Sequence, residues 1–153
     1  MDTQESVAFA KKYLEDMLSF FGVNIDVEAG FEGDVIELRV PSTDMNSVLI
    51  GRGAETLRSM QYLISTTLRN RRAALQRVNL DIADYKKQHA EKVAEDARGW
   101  IEEVRRTGDS HVANLNAADR RVVHRVAGEY ADVQTFSEGE GRDRRIIIAQ
   151  KSS

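Results

Sequence analysis

The sequence predicts an α+β protein made of two small modules joined by a long helix. Segments with apolar residues at helical spacing alternate along the chain with short segments in which apolar and polar residues alternate, as in strands. An uninterrupted helical pattern over residues 84–106 separates two such groups. The charge also changes along the chain: residues 1–50 hold 3 basic and 10 acidic side chains, residues 51–106 hold 12 and 8, and residues 107–153 hold 7 and 7.

The first module opens with a helix and a pair of strands. Residues 4–21 carry one apolar stripe at helical spacing, and Gly22 ends this helix. Apolar and polar residues then alternate over residues 23–29 and again over residues 36–40. This pattern predicts two strands with their turn at residues 30–33, Gly-Phe-Glu-Gly.

A short helix, a glycine turn, a longer helix and a third strand complete the first module. Ser42 or Thr43 caps the short helix, which runs to Ile50. The longer helix spans residues 55–73, and residues 77–82 alternate as the third strand. This order predicts a three-stranded sheet covered by helices on one face.

The long helix at residues 84–106 leads into the second module. Asn116 caps the next helix, whose buried arc includes Val123 and Val126. The predicted strands of this module lie at residues 111–115, 133–138 and 144–149, and the last two form a hairpin. We therefore divide the chain into modules at residues 1–83 and 84–153.

The turn Gly51-Arg52-Gly53-Ala54 is the first candidate site. Its two glycines permit positive φ angles and a close approach of the backbone to a ligand. The following helix begins near Glu55, so its free N–H groups and positive dipole end face the turn, where a phosphate can bind. Arg52 adds a charged donor at the tip. The alternative interpretation is an ordinary tight turn between two helices.

Positive charge is concentrated around this turn, although the whole chain carries a net charge of −3. Residues 51–77 contain six arginines and a single acidic residue, Glu55. A local basic patch attracts phosphates even on an acidic protein, whereas the overall charge argues against a general polyanion binder. For any one arginine, a solvated helix face is the alternative interpretation.

No catalytic, metal or cofactor site is predicted. The chain has no cysteine, its three histidines are dispersed, and the glycine turn lacks the lysine of a P-loop. No serine or threonine lies in a nucleophile-elbow pattern. The first residues lack the apolar stretch of a signal peptide, and no apolar run has the length of a membrane span. We therefore expect a cytoplasmic protein without membrane insertion.

Two motifs together resemble a known family. The first module resembles a type II K-homology (KH) domain, which has this order of elements and a Gly-x-x-Gly loop between two helices. Arg120 and His124 match the Arg-x-x-x-His motif after which a second small domain is named. A KH domain followed by that domain is similar to the bacterial Jag family, also called KhpB. The resemblance covers nearly the whole chain.

The resemblance implies a protein that binds single-stranded RNA, or single-stranded DNA. It also implies a post-transcriptional regulator linked to the cell envelope or cell division, with associations to chaperone activity and cell shape. The nucleic-acid-binding residues that it implies are Gly51, Arg52, Gly53, Ala54, Arg58, Arg120, Arg121 and His124. His124 would act as a hydrogen-bond donor or a stacking ring, and local packing is its alternative role.

A second hypothesis is a protein-interaction adaptor in which RNA binding by the glycine turn is weak or lost. The acidic first fifty residues, or the apolar faces of the KH-like module, would then bind partner proteins. The resemblance suggests a smaller single-KH protein as such a partner.

Three further expectations follow from a comparison with the family pattern. The fourth loop position is Ala54 rather than glycine, which either restricts backbone approach there or shifts binding to Gly51 and Gly53. We expect the chain to lack the small N-terminal domain of many family members. Aromatic residues for stacking are scarce, and the core is predicted to hold Phe9, Tyr13, Phe20, Phe21, Tyr62 and Trp100, whereas Tyr130 and Phe136 are left open.

Overall fold

The computed structural model describes residues 1–152, which form two compact units. The first unit ends at Lys86 and the second begins at Lys87, so the division falls in the first turn of the long helix. The mixed helices and small sheets confirm the predicted α+β class.

The first unit consists of a three-stranded sheet and the helices packed on it. Its elements are α1 (Thr3–Phe20), β1 (Glu28–Glu32), β2 (Val35–Val40), α2 (Asn46–Ile50), a 3-10 turn (Arg52–Ala54), α3 (Glu55–Asn70) and β3 (Arg77–Ile82). The strand order is β1-β2-β3, with β1 antiparallel and β3 parallel to the central strand. Parallel neighbours need a crossover connection, and the segment from α2 through the glycine turn to α3 provides it.

The core of the first unit lies between one face of the sheet and the helices α1 and α3. Burial alternates along β2 and β3, as a sheet with one covered face requires. The buried face carries Ile36, Leu38, Val40, Val78, Leu80 and Ile82. The helices contribute Ala10, Leu14 and Leu18 from α1 and Leu57, Met60, Ile64 and Leu68 from α3. Full burial of each leucine or isoleucine contributes about 1.5–3 kcal/mol.

The second unit repeats this layered plan with an antiparallel sheet. Its elements are α4 (Tyr85–Thr107, from Lys87 onward), β4 (His111–Ala113), α5 (Ala117–Ala127), β5 (Val133–Glu138), a 3-10 turn (Gly141–Asp143) and β6 (Arg145–Gln150). The strand order is β4-β6-β5. Asn116 caps α5 as predicted, because its Oδ1 accepts a 2.9 Å hydrogen bond from the Asp119 N–H.

Several element boundaries differ from the sequence prediction. The first strand begins at Glu28 rather than residue 23, since the N–H of Val27 is held by the Glu15 carboxylate at 3.0 Å. The turn after it therefore lies at residues 33–34 rather than 30–33. Neither Ser42 nor Thr43 caps α2, which begins only at Asn46.

Two aromatic residues predicted to be buried are exposed. Phe20 is 90% and Tyr62 is 66% exposed. Each lies two positions from a buried residue of its helix, Leu18 and Met60 respectively, and two positions correspond to about 200° of rotation around the axis. The prediction was wrong because it took the apolar stripes to be wider than they are.

The ring of His111, on β4, stacks on Trp100 of α4 with centroids 4.7 Å apart and an 18° angle between the planes. Burial lowers the pKa of His111 below its usual 6.5. The unfolded chain therefore binds a proton at a pH where the folded chain does not, and stability falls as pH drops below about 6.5.

We expect urea unfolding, followed by the fluorescence of the single tryptophan, to show lower stability of the second unit at pH 5.5 than at pH 7.5. His111→Phe retains an aromatic ring on Trp100 and should reduce this difference, since it removes the titrating group. An identical pH dependence in the variant would contradict the assignment to His111.

Candidate functional site

The glycine turn between α2 and α3 has a backbone that its first residue alone could not adopt with a side chain. Gly51 has φ +75° and ψ 174°, a region that is essentially restricted to glycine. A Cβ atom at this position would lie 2.4 Å from Thr56 Oγ1 and 2.9 Å from the Thr56 backbone nitrogen. The start of α3 therefore packs directly against a bare backbone.

Ala54 keeps a left-handed backbone without being glycine. Its φ is +61° and ψ is 26°, a conformation that costs an L-residue about 1–2 kcal/mol. Its side chain is only 7% exposed and belongs to the core of the first unit. The methyl group that distinguishes this chain from a Gly-x-x-Gly loop thus lies inside the protein rather than on the outer surface of the turn.

The two arginines of the turn have different surroundings. Arg52 is exposed at the tip and makes no ion pair or side-chain hydrogen bond within residues 1–152. Arg58, one turn into α3, donates from Nη1 to the Gly53 carbonyl oxygen at 2.6 Å. One arginine is thus available to a ligand, and the other braces the turn with part of its guanidinium group.

The apolar groove expected between α3 and the edge strand β3 is bridged by polar contacts instead. Gln61 Oε1 accepts a hydrogen bond from the Leu80 N–H at 2.9 Å, and Ser65 donates to the Gln76 carbonyl at 2.8 Å. The open apolar surface next to the turn is on the outer side of α3, where a shallow groove is lined by Glu55, Arg58, Ser59, Tyr62 and Leu63.

The second candidate site lies on α5 and the edge strand β5. Arg120 is half-buried and donates from Nη1 to the Leu115 carbonyl at 2.6 Å. His124, one turn later, lies between two hydroxyl groups: its Nδ1 is 2.5 Å from Thr135 Oγ1 and its Nε2 is 3.3 Å from Ser137 Oγ. Arg121 is exposed and has no ion pair among the described residues.

An acidic residue next to these arginines is directed away from them. Asp119 is 9% exposed, and both of its carboxylate oxygens lie close to His89 Nε2, at 3.0 and 3.1 Å. It forms no ion pair with Arg120 or Arg121. The positive charge at the start of α5 is therefore not neutralised by its neighbour.

The arginines at the two candidate sites differ from many of those elsewhere. Within residues 1–152, no ion pair involves Arg52, Arg58, Arg120 or Arg121. Outside the sites, carboxylates within 4.0 Å pair with Arg77, Arg98, Arg105, Arg106 and Arg145. Unpaired arginines next to bare amides or hydroxyl groups form a surface suited to anionic oxygen atoms.

Sequence reasoning missed the hydroxyl groups around His124. Thr135 and Ser137 are two positions apart on β5 and therefore face the same side of the sheet, a period that the sequence displays. What it did not display was that this side faces α5. The part of the chain that the structure describes contains no cluster of three or more potential metal ligands, and none of its helices is long and apolar enough to cross a bilayer.

A family model for the Arg-x-x-x-His domain matches residues 87–150, which include the whole α5 and β5 site. Proteins named RNA-binding protein KhpB are similar over most of the chain. The protein of Clostridium symbiosum is 28% identical over 93% of this chain and 65% of its own length, and that of Bacillus subtilis is 23% identical over 93% and 69%. The chain belongs to the KhpB, or Jag, family.

The family recognised from the two motifs is thus confirmed. Another KhpB protein, from Streptococcus pneumoniae, is 25% identical over 94% of this chain and 43% of its own length. This chain therefore spans less than two thirds of the length of the first two KhpB proteins described here. Within the matched domain, Arg120 and His124 are the arginine and histidine of the motif that names it.

Proposed function

We propose that this chain binds single-stranded RNA through its glycine turn and its Arg-x-x-x-His helix. The KhpB proteins that it resembles are named for RNA binding, and its second unit matches the Arg-x-x-x-His domain. The observation that carries the proposal is the absence of ion pairs at Arg52, Arg58, Arg120 and Arg121 within residues 1–152, in contrast to the paired arginines elsewhere.

At the glycine turn, the backbone amides of Arg52 and Gly53 approach the sugar–phosphate chain. The N–H of Ala54 is already bonded to the Gly51 carbonyl at 3.2 Å, and that of Glu55 to the Arg52 carbonyl. The Arg52 guanidinium adds a charge-assisted contact to a phosphate oxygen. Arg58 fixes the Gly53 carbonyl, which keeps the amides of the turn oriented toward the ligand.

At the second site, the phosphate chain lies along the exposed side of α5. Arg121 contacts one phosphate, and the free N–H groups of Arg120 contact another, because only Nη1 of that residue is used internally. The Ser137 hydroxyl, loosely held by His124 at 3.3 Å, can turn to donate to a phosphate oxygen. His124 then positions hydroxyl groups rather than supplying charge.

Two weak sites on one chain bind a long RNA more tightly than either site alone, because the second contact forms at a high effective concentration. Base readout is limited, so sequence preference is modest, as suits a post-transcriptional regulator with several RNA targets. The link to the cell envelope or cell division that the family resemblance implies belongs to the same proposal.

The salt dependence of binding tests the proposal directly. If Arg52, Arg120 and Arg121 each neutralise one phosphate, log K for a fluorescein-labelled single-stranded 30-mer RNA falls with log salt at a slope of about −2, since each contact contributes about 0.7. Fluorescence anisotropy between 50 and 200 mM KCl, a range over which such contacts weaken measurably, gives this slope.

Arg121→Ala should reduce the slope by about 0.7 and weaken binding severalfold. The matched control is Arg77→Ala, which removes the same charge from an arginine already paired with Asp34 at 3.4 Å. Equal effects of the two variants would show that binding follows net charge rather than the α5 site, and an RNA affinity that does not change with salt would refute the phosphate contacts.

A further inference from the structure

Strand β1 is the least covered element of the first unit. None of its five residues, Glu28 to Glu32, is buried, and only Gly30 is half-buried. It lies at the edge of the sheet and pairs only with β2, so its other side has no backbone partner within residues 1–152. An edge with unpaired N–H and C=O groups is a template for an added strand.

A groove runs along this edge between β1 and α1. Val7, Ala8 and Lys11 line it from the helix, and Ala29, Gly30 and Phe31 line it from the strand. Phe31 is 52% exposed, which leaves an apolar anchor unfilled. A Cβ atom at Gly30 would meet nothing within 4 Å, so another backbone can approach the middle of the strand.

The charges around the groove specify its occupant. Glu28 and Glu32 stand exposed at the two ends of β1, and Asp26 is 88% exposed beside it. Lys11 is already paired with Asp26 at 2.8 Å. These carboxylates repel the phosphates of a nucleic acid and attract an extended segment that carries lysine or arginine.

A second copy of the chain is a poor occupant of the same edge. Antiparallel pairing of two β1 strands centred on Gly30 would place Glu28 of one copy opposite Glu32 of the other, at both ends of the pair. Like charges directly opposite each other destabilise a strand pair. The acidic ends therefore act against self-association and leave the edge open to a basic strand.

We propose that β1 and the adjoining face of α1 form a docking site for an extended, basic segment of a partner protein, which adds to the sheet as a fourth strand. Backbone hydrogen bonds to β1 supply the pairing. Apolar side chains of the segment contact Phe31 and Val7, and its basic side chains lie beside Glu28 and Glu32. This function is separate from RNA binding, which uses residues on other elements.

Synthetic peptides test the site without knowledge of the natural partner. The probe is the acetylated, amidated peptide Lys-Val-Lys-Val-Lys-Val-Lys, titrated into the ¹⁵N-labelled full chain at moderate salt. We expect the amide signals of residues 28–32 to shift and the peptide to bind at least about tenfold more tightly than its glutamate counterpart. Replacing the central valine with proline should abolish binding, because proline lacks a backbone donor and breaks the added strand.

Chain variants separate this site from general electrostatics. Glu28→Lys/Glu32→Lys should lose the basic peptide, whereas Asp44→Lys/Glu140→Lys, an equal change of charge at exposed positions elsewhere, should retain it. Phe31→Ser should weaken the peptide about tenfold through loss of the apolar anchor, and RNA affinity should be preserved. Peptide shifts outside residues 28–32, equal binding of the acidic peptide, or equal loss in both charge variants would overturn the proposal.

Discussion

Gly51→Ala is expected to lower the free energy of unfolding of the first unit by about 2–3 kcal/mol, because strained backbone regions cost about 1–3 kcal/mol and overpacking adds to this. The new methyl group would meet Thr56 at both Oγ1 and the backbone nitrogen. Since these atoms begin α3, the turn must shift, and we expect RNA affinity to fall about tenfold with the loss of oriented amides. Urea titrations followed by the amide signals of residues 1–86 measure the stability change, and the signals of residues 87–152 are the internal reference.

Gly53→Ala is the graded control for this prediction. Gly53 has φ +58° and open space where a Cβ atom would lie, so alanine there incurs only the left-handed backbone cost of about 1–2 kcal/mol. Thr56→Ala combined with Gly51→Ala should restore only part of the loss, because the backbone nitrogen at 2.9 Å remains. If the Gly51 and Gly53 variants were equally stable, the close contact with Thr56 would not be the cause.

Arg52→Ala/Arg120→Ala is expected to weaken binding of the single-stranded 30-mer about a hundredfold, if each lost charge-assisted contact costs about tenfold. The effects should add in free energy because the two residues belong to different units and share no partner. The salt slope should fall by about 1.4, which is twice the contribution of one contact. Anisotropy titrations of both single variants and the double variant measure these quantities.

Arg77→Ala/Arg98→Ala provides the matched double control. Both arginines already pair with carboxylates, Asp34 and Glu129 respectively, and one lies in each unit. A double variant at the candidate sites that binds no worse than one of its single variants would mean that only one unit contacts the RNA. Binding as weak in the control as in the test variant would locate the interface elsewhere.

Much of the fold was predictable because it depends on local periodicity. Strand β3 was placed correctly from alternation alone, and the cap of α5 from Asn116. The first strand was misplaced because residues 23–27 also alternate, yet Val23 and Val27 are buried without pairing in the sheet. Alternation gives the side chains that turn inward, but only hydrogen bonding to a neighbouring strand makes the segment a strand.

The sequence by itself determined the fold class, the family and the positions of the two candidate sites, because each depends on residue types at fixed spacings along the chain. Only the tertiary structure decided which arginines are left without carboxylate partners, that the methyl group of Ala54 is buried, and that His124 lies between two hydroxyl groups of β5. These properties depend on contacts between residues distant in sequence, whose partners are set by the packing of whole elements rather than by local pattern.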